Sequence, residues 1–342
     1  MKRQDPAQLA EVFTRREALA AGLGRHEVEW ALRSRRWLAL RRGVYCRRDV
    51  YDAADVTKRH LMLSMAALAA HDSRHVLSHL SAALSFGWPA PLGDLGRPTL
   101  TMGDRQASTD RQDDLVVQVA GLRPDEVRRW REWRRTAPRR TVADCLRHLS
   151  AAESVPLADA AIREGHTTLR AIAETLAWQQ GWPYVTQGMA ALNLVDGRRE
   201  TWLESFSFVS LHGDGIALPV PQVEISDATG AFVARVDGLW LDHATVAEAD
   251  GRAKYALAEL DVVAQADSVD LIDARIEAHR RALVREKVRE DRLRAEGLEV
   301  VRWGTHDIVY RRPQLVRTIR TAWRRGDPRR FTGSVLVPKA AR

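Results

Sequence analysis

The chain has 342 residues, 45% of them hydrophobic and 29% charged, a balance that excludes a disordered or fibrous protein and suits two or three domains. Its longest apolar run, Leu61–Ala70, is too short to span a bilayer. No apolar stretch follows the charged start Met1-Lys2-Arg3, so a soluble, cytoplasmic protein with no membrane partner is expected.

The two cysteines, Cys46 and Cys145, exclude a disulfide framework and a cysteine-rich zinc site. The net charge of +8 is unevenly spread. Residues 1–50 carry 12 Lys and Arg against 6 Asp and Glu, residues 311–342 carry 10 against 1, and residues 51–310 hold 31 against 38. Basic ends around a mildly acidic middle suit a protein whose ends touch a polyanion. The chain writes Arg 48 times and Lys 5 times, a compositional bias that accounts for many arginines but not for their asymmetry.

Residues 12–48 read as helix, helix, strand, strand. Thr14 with Glu17 three residues on is a capping box for a helix Arg15–Ala21 that stops at Gly22. Gly24 opens a second helix, Arg25–Arg35, with Val28, Leu32 and the pair Trp30-Ala31 on its apolar side. Trp37–Leu40 and Val44–Cys46 then form a hairpin turning at Arg41-Arg42-Gly43. That layout predicts a winged helix-turn-helix, with Arg25, His26, Glu29 and Arg33 offered to a DNA major groove and Arg41 and Arg42 to phosphates. A small α/β fragment with ordinary surface arginines is the alternative.

In the middle, Arg59–Ala70 and His75–Ser85 read as helices and Pro98–Met102 and Leu115–Val119 as strands. Val142–Leu149 and Leu157–Glu164 read as short helices. His75 and His79 would share a helical face. Val76 stands where a zinc protease motif needs Glu, so packing or surface histidines are expected. Arg128–Arg140, with Trp130 and Trp133, reads as a solvated helix with its tryptophans turned inward, or as a second nucleic-acid surface.

After Asp196-Gly197 the pattern is clearer. A helix Trp202–Leu211 carries Glu204 near its start, and strands follow at Gln222–Ile225, Phe232–Leu241 and Ala244–Ala249. A long helix over about 275–295, a strand Leu298–Trp303 and a basic helix Pro313–Arg325 complete it. A two-residue hairpin loop at Asp242-His243 would set Leu241 opposite Ala244, and hence Asp237 opposite Glu248. Like charges so placed repel. A divalent cation with oxygen ligands is the natural compensation. Asp250 would fall on the same face, either joining the acids or pairing with Arg235 across the hairpin. Glu204 is the fourth carboxylate, unless it serves its helix end alone. Lys254, one of few lysines, is either incidental or a compact charge that steadies a reacting phosphate. Acids around one point and basic ends elsewhere describe metal-assisted phosphodiester cleavage. No nucleophile elbow, phosphate loop or dinucleotide fingerprint is present.

Several stretches together resemble the PD-(D/E)XK nuclease superfamily, in the branch similar to very-short-patch-repair endonucleases. They are Glu204-Ser205, Pro219–Val223, Arg235-Val236-Asp237, Glu248–Tyr255, Arg289-Glu290-Asp291, Gly297 and Val300–Trp303. Val12–Cys46 resembles the winged helix of AbiEi-type antitoxins. The resemblance implies that Asp237 and Glu248 are the metal-binding acids, with Glu204 the acid of the first helix and magnesium (or manganese) the ion. Asp250 stands where the superfamily's name has Lys, and Lys254 where branch members often have His. The expectation is an α/β multidomain chain: a winged helix-turn-helix plus a restriction-endonuclease-like mixed sheet with flanking helices. Its domains would be a DNA-binding domain (1–50), a linking domain (51–195), a nuclease-like domain (196–330) and a basic tail (331–342). The expected partner is double-stranded DNA and the expected activity its magnesium-dependent cleavage. The alternative is a non-catalytic regulator or antitoxin with a cognate toxin and a degenerate nuclease fold.

Overall fold

The Thr-x-x-Glu box does start the first helix. In the computed structural model, which describes residues 9–103, 110–112, 114–250 and 269–338, the Glu17 amide donates to the Thr14 hydroxyl at 3.2 Å and the Thr14 amide to Glu17 Oε2 at 2.6 Å. The order is β1 (Val12–Thr14), α1 (Arg15–Ala20), α2 (Arg25–Arg33), β2 (Trp37–Arg41) and β3 (Val44–Arg47). Strand β1, absent from the sequence reading, pairs antiparallel with β3 and gives a sheet ordered β1-β3-β2. Gly43 makes the hairpin turn at a φ of +76°, where a side chain would be strained. Phe13, Ala18, Val28, Ala31, Trp37 and Tyr45 close a small core between the two helices and this sheet.

This segment does not stand alone. The molecule divides into two compact units, Met1–Asn193 and Leu194–Arg342. Val12, Val44 and Cys46 share a core with Met62, Met65 and Ala66 of α4 (Val56–Ala70), which follows a short α3 (Arg48–Ala53). The rest of the first unit has a six-stranded sheet ordered β6-β7-β5-β4-β9-β8. Its strands are β4 (His75–Leu77), β5 (Thr99–Met102), β6 (Asp110–Gln112), β7 (Leu115–Val119), β8 (Val127–Trp130) and β9 (Trp133–Thr136). The helices α5 (His79–Ser85), α6 (Pro138–His148), α7 (Ala151–Arg163), α8 (Leu169–Trp178) and α9 (Val185–Leu192) complete it.

Two expectations fail here. His75–Ser85 is a strand and a helix rather than one helix: His75–Leu77 pairs with β5, and His79 has a φ of 52°, which no continuous helix admits. His75 and His79 therefore share no helical face. Arg128–Arg140 begins as a β-hairpin, because Trp130 and Trp133 pair across it and Pro138 opens the next helix. The inward turn of both tryptophans does hold, since they pack against the unit's cores.

The second unit comprises α10 (Trp202–Gly213), β10 (Val220–Ser226), β11 (Phe232–Trp240), β12 (Thr245–Ala249), α11 (Val269–Ala295), β13 (Glu299–Trp303), α12 (Thr305–Tyr310), α13 (Arg312–Arg325) and β14 (Ser334–Leu336). The mixed sheet runs β13-β12-β11-β10-β14, with only the β12–β13 pair parallel. The expected basic tail supplies β14, an edge strand whose Val335 packs into the core with Val223, Ile225 and Val246. A second core gathers Phe208 of α10, Trp303 and the buried stripe Leu315, Val316, Ile319 and Ala322 of α13. Among the described residues no helix is long and apolar enough to cross a membrane.

Candidate functional site

Strands β11 and β12 pair Trp240 with Thr245, Leu239 with Val246 and Gly238 with Ala247. That is the expected register, reached through a longer loop. Leu241–His243 forms a 3-10 turn, and Ala244, at a φ of 44°, closes it with its amide on the Leu241 carbonyl at 3.0 Å. The loop grows by one residue on each strand, so the pairing is unchanged. Continued by one step, the ladder sets Asp237 opposite Glu248. It stops short of that step, and the Asp237 carboxylate instead accepts the Ala249 amide at 2.9 Å.

The other neighbour of Asp237 is irregular too. Pro221 pairs with Gly238 and Val223 with Val236, so Gln222 is the residue opposite Asp237, yet it drops out of the ladder with a φ of 57°. Val236 and Leu239 enter the same core cluster, so the strand's alternation slips across Asp237-Gly238. Gly238 is required there: a Cβ would lie 2.9 Å from Pro219 Cβ and 3.0 Å from Phe208 Cζ.

Gln222 is buried and donates its side-chain amide to Glu204 Oε2 at 2.8 Å. Glu204 also accepts the Glu200 amide at 3.0 Å, the Thr201 amide at 3.1 Å and the Thr201 hydroxyl at 2.9 Å. Both its oxygens are therefore committed to capping α10 and holding Gln222. Its charge still acts at Asp237, whose carboxyl is pushed up to about 7, first by burial and then by Glu204 and Glu248.

Glu248 is 5% exposed and is likewise raised, by burial, against the opposing Arg289. Its Oε2 accepts from Arg289 at 2.8 Å, and its buried Oε1 has no hydrogen-bond partner among the described residues. Arg289 also pairs with Glu286 at 2.7 Å, and Glu286 with Arg302, the β13 partner of Glu248. Asp250 lies 3.8 Å from Arg302, while Arg235 pairs with Glu200. Arg302 of β13 is thus one cation on Asp250, and Arg235, which the sequence suggested, is engaged by Glu200. Lys254 lies outside the described residues.

Magnesium is commonly held by one or two carboxylates with water filling the rest. Asp237 and Glu248 are the residues that could meet that demand: burial and neighbouring carboxylates raise Asp237 against the opposing Arg289, and Glu248 buries an oxygen that has no donor among the described residues. Glu204 supports them from behind, its oxygens already taken. Among the described residues no group of three or more His, Cys, Asp or Glu has metal-holding geometry. Gln222, Arg289 and Arg302 lay in the stretches that carry the resemblance but were given no site role, and Glu286, three residues before Arg289 on its helix, was not singled out.

On the first unit, Arg25, His26, Glu29, Arg33 and Arg42 are exposed, with Glu29 3.7 Å from Arg15. Arg41 differs. Its side chain is 11% exposed and pairs with Asp114 at 2.5 Å, so it braces the hairpin, and Arg42 is the exposed arginine of the turn. Trp30, expected on the apolar side of α2, is 50% exposed, with the Arg36 guanidinium 4.6 Å above its ring.

No protein-family model matches the chain, and no curated protein matches it.

Proposed function

We propose that the chain is a DNA-directed protein. In this reading the first unit carries a winged helix-turn-helix of the AbiEi-antitoxin kind, and the second a PD-(D/E)XK-like site for metal-dependent phosphodiester cleavage. The observation that carries the reading is the buried oxygen of Glu248, donorless among the described residues, beside an Asp237 that burial and like charge raise further than Arg289 lowers it. Magnesium, held by Asp237 and Glu248, would supply Lewis acidity and activate a water.

The chain's own groups supply the rest. Gln222 and the α10 cap fix Glu204, whose negative charge sharpens the demand for a cation at Asp237. The Ala249 amide orients one Asp237 oxygen. Arg289, half-buried at Glu248, brings a guanidinium to the site, the shape that pairs with phosphate oxygens. On the first unit, the exposed Arg25, His26, Glu29 and Arg33 of α2 suit base edges and phosphates, and Arg42 of the hairpin suits the backbone.

One observation favours a second reading, a regulator or antitoxin with a retired nuclease fold and a cognate toxin as partner. Arg289 already neutralises Glu248, and the Glu286–Arg302 pair extends that balance. Supercoiled plasmid incubated with the purified protein and magnesium or manganese separates the two. Nicking that disappears in Asp237→Ala and in Glu248→Ala is the expected result. Unchanged plasmid, with DNA still retarded in a salt-sensitive gel shift, overturns the nuclease and leaves the regulator.

A further inference from the structure

The last helix of the second unit has two sides of opposite character. Along α13, Leu315, Val316, Ile319 and Ala322 are buried, while Arg317, Arg320, Arg324 and Arg325 are exposed. Arg317, Arg320 and Arg324 follow one another at three and four residues, so they form a stripe along one side. At about 1.5 Å rise per residue, the first and last are about 10 Å apart along the axis. From Arg311 to Pro338 the chain carries eight arginines and one acid, Asp327. That acid is engaged by Arg329 at 2.9 Å, and the nearby Asp214 by Arg312 at 2.9 Å. Arg320 donates to the Asp214 carbonyl and Arg324 to the Thr321 hydroxyl, both neutral acceptors that leave the guanidinium charge uncompensated.

We infer that the exposed side of α13 is a docking surface for the sugar-phosphate backbone of duplex nucleic acid, separate from α2 and from the carboxylate site. The apolar side decides between polyanions. A basic amphipathic helix that binds lipid must bury its apolar side in the bilayer, and here that side is already buried in the protein's own core. What remains is a row of positive charge, which takes its affinity from the dense phosphate charge of a duplex and the counterions it releases. No base-reading geometry is needed, so the docking is indifferent to sequence. The inference deepens the DNA-directed reading by giving the second unit its own grip on substrate, and it does not depend on catalysis.

The test is fluorescence anisotropy of a labelled random-sequence duplex, with the full chain, over a salt series without divalent ions. The triple variant Arg317→Gln/Arg324→Gln/Arg325→Gln is expected to flatten the slope of log affinity against log salt by about 2–3, since each phosphate that an arginine neutralises adds about 0.9 to that slope. An unchanged circular-dichroism spectrum shows that these exposed substitutions leave the fold intact. A triple variant that keeps the wild-type slope, while Arg25→Gln/Arg33→Gln/Arg42→Gln flattens it, overturns the inference and leaves the DNA-directed reading standing. Wild-type chain that ignores the duplex overturns both. Weaker binding of the triple variant to phosphatidylserine vesicles, with duplex binding untouched, overturns the nucleic-acid partner in favour of a membrane surface.

Discussion

Each unit buries a cluster of charges, and the two clusters are built on opposite principles. In the first unit, Arg140, Glu126 and Asp144 are fully buried and Arg147 nearly so. Arg140 pairs with Glu126 at 3.1 Å and with Asp144 at 2.8 Å, and Arg147 with Asp144 at 3.2 Å. Gln179 adds a hydrogen bond to Asp144 at 3.2 Å, and Arg140 reaches the Gly121 carbonyl at 2.8 Å. Burial pushes Asp144 up, yet Arg140, His79 and Arg147 hold it at about 2. In the second unit burial pushes Asp237 up as well, and Glu204 and Glu248 push it further, to about 7. The same desolvation is answered by cations in one place and compounded by anions in the other. Paired charge of the first kind fixes which segments meet, here the turn at Pro124–Glu126, helix α6 and the end of α8. A carboxyl crowded by like charge, as Asp237 is despite the nearby Arg289, costs stability and makes sense where a ligand completes it.

That contrast breaks first at Asp144. Asp144→Asn leaves two buried guanidiniums short of a counter-charge and is expected to destabilise the protein by about 3–5 kcal/mol, read from urea denaturation. Because the folded carboxyl is depressed, its contribution is present above pH ~4 and lost as pH falls through about 2. The gap between wild type and variant therefore closes in acid. A gap of under ~1 kcal/mol at pH 7 would place the cluster with ordinary surface ion pairs.

Asp237→Asn is expected to act in the opposite direction. The folded carboxyl is raised, so its contribution is fully present below pH ~4 and lost as pH rises through about 7. The amide variant, still able to accept from the Ala249 amide, should be more stable than wild type at pH 8 by roughly 2 kcal/mol, and equal to it near pH 4. Manganese should raise the melting temperature of wild type and not of the variant, since a ligand stabilises only the state that binds it. Destabilisation at pH 8 would show that Asp237 is a paired structural acid like Asp144.

The register of β11 against β12 was legible because it depends only on where a hairpin turns, and a symmetric lengthening of the loop leaves pairing intact. The two N-terminal helices and their hairpin were legible for similar local reasons: a capping box, Gly22 and Gly43. What escaped depends on neighbours distant in sequence. Gln222 looks like any strand residue until its partner across the sheet is known. Arg289 lies on a helix that reaches Glu248 41 positions away. Arg41 is neutralised by Asp114, which no local pattern links to it. The histidine pair failed because a spacing of four implies a shared face only inside a helix, and Ser78 spends its amide on Thr99 instead.

The finest test of the contrast concerns Glu204, which belongs to both kinds of cluster. It takes three donors at the α10 cap and a fourth from Gln222, as a structural acid does, and it raises Asp237, as a site acid does. Thr201→Ala removes one donor to Glu204 and the side chain that accepts the Glu204 amide at 3.2 Å. The expected cost is about 1 kcal/mol, the ordinary worth of an N-cap, read from thermal melts. If Glu204 works only through its charge, the pH span over which Asp237 titrates and the response to manganese stay where they are in wild type. If its oxygens must be positioned to share the cation, the manganese response weakens in step with the missing cap, and the site takes three acids rather than two.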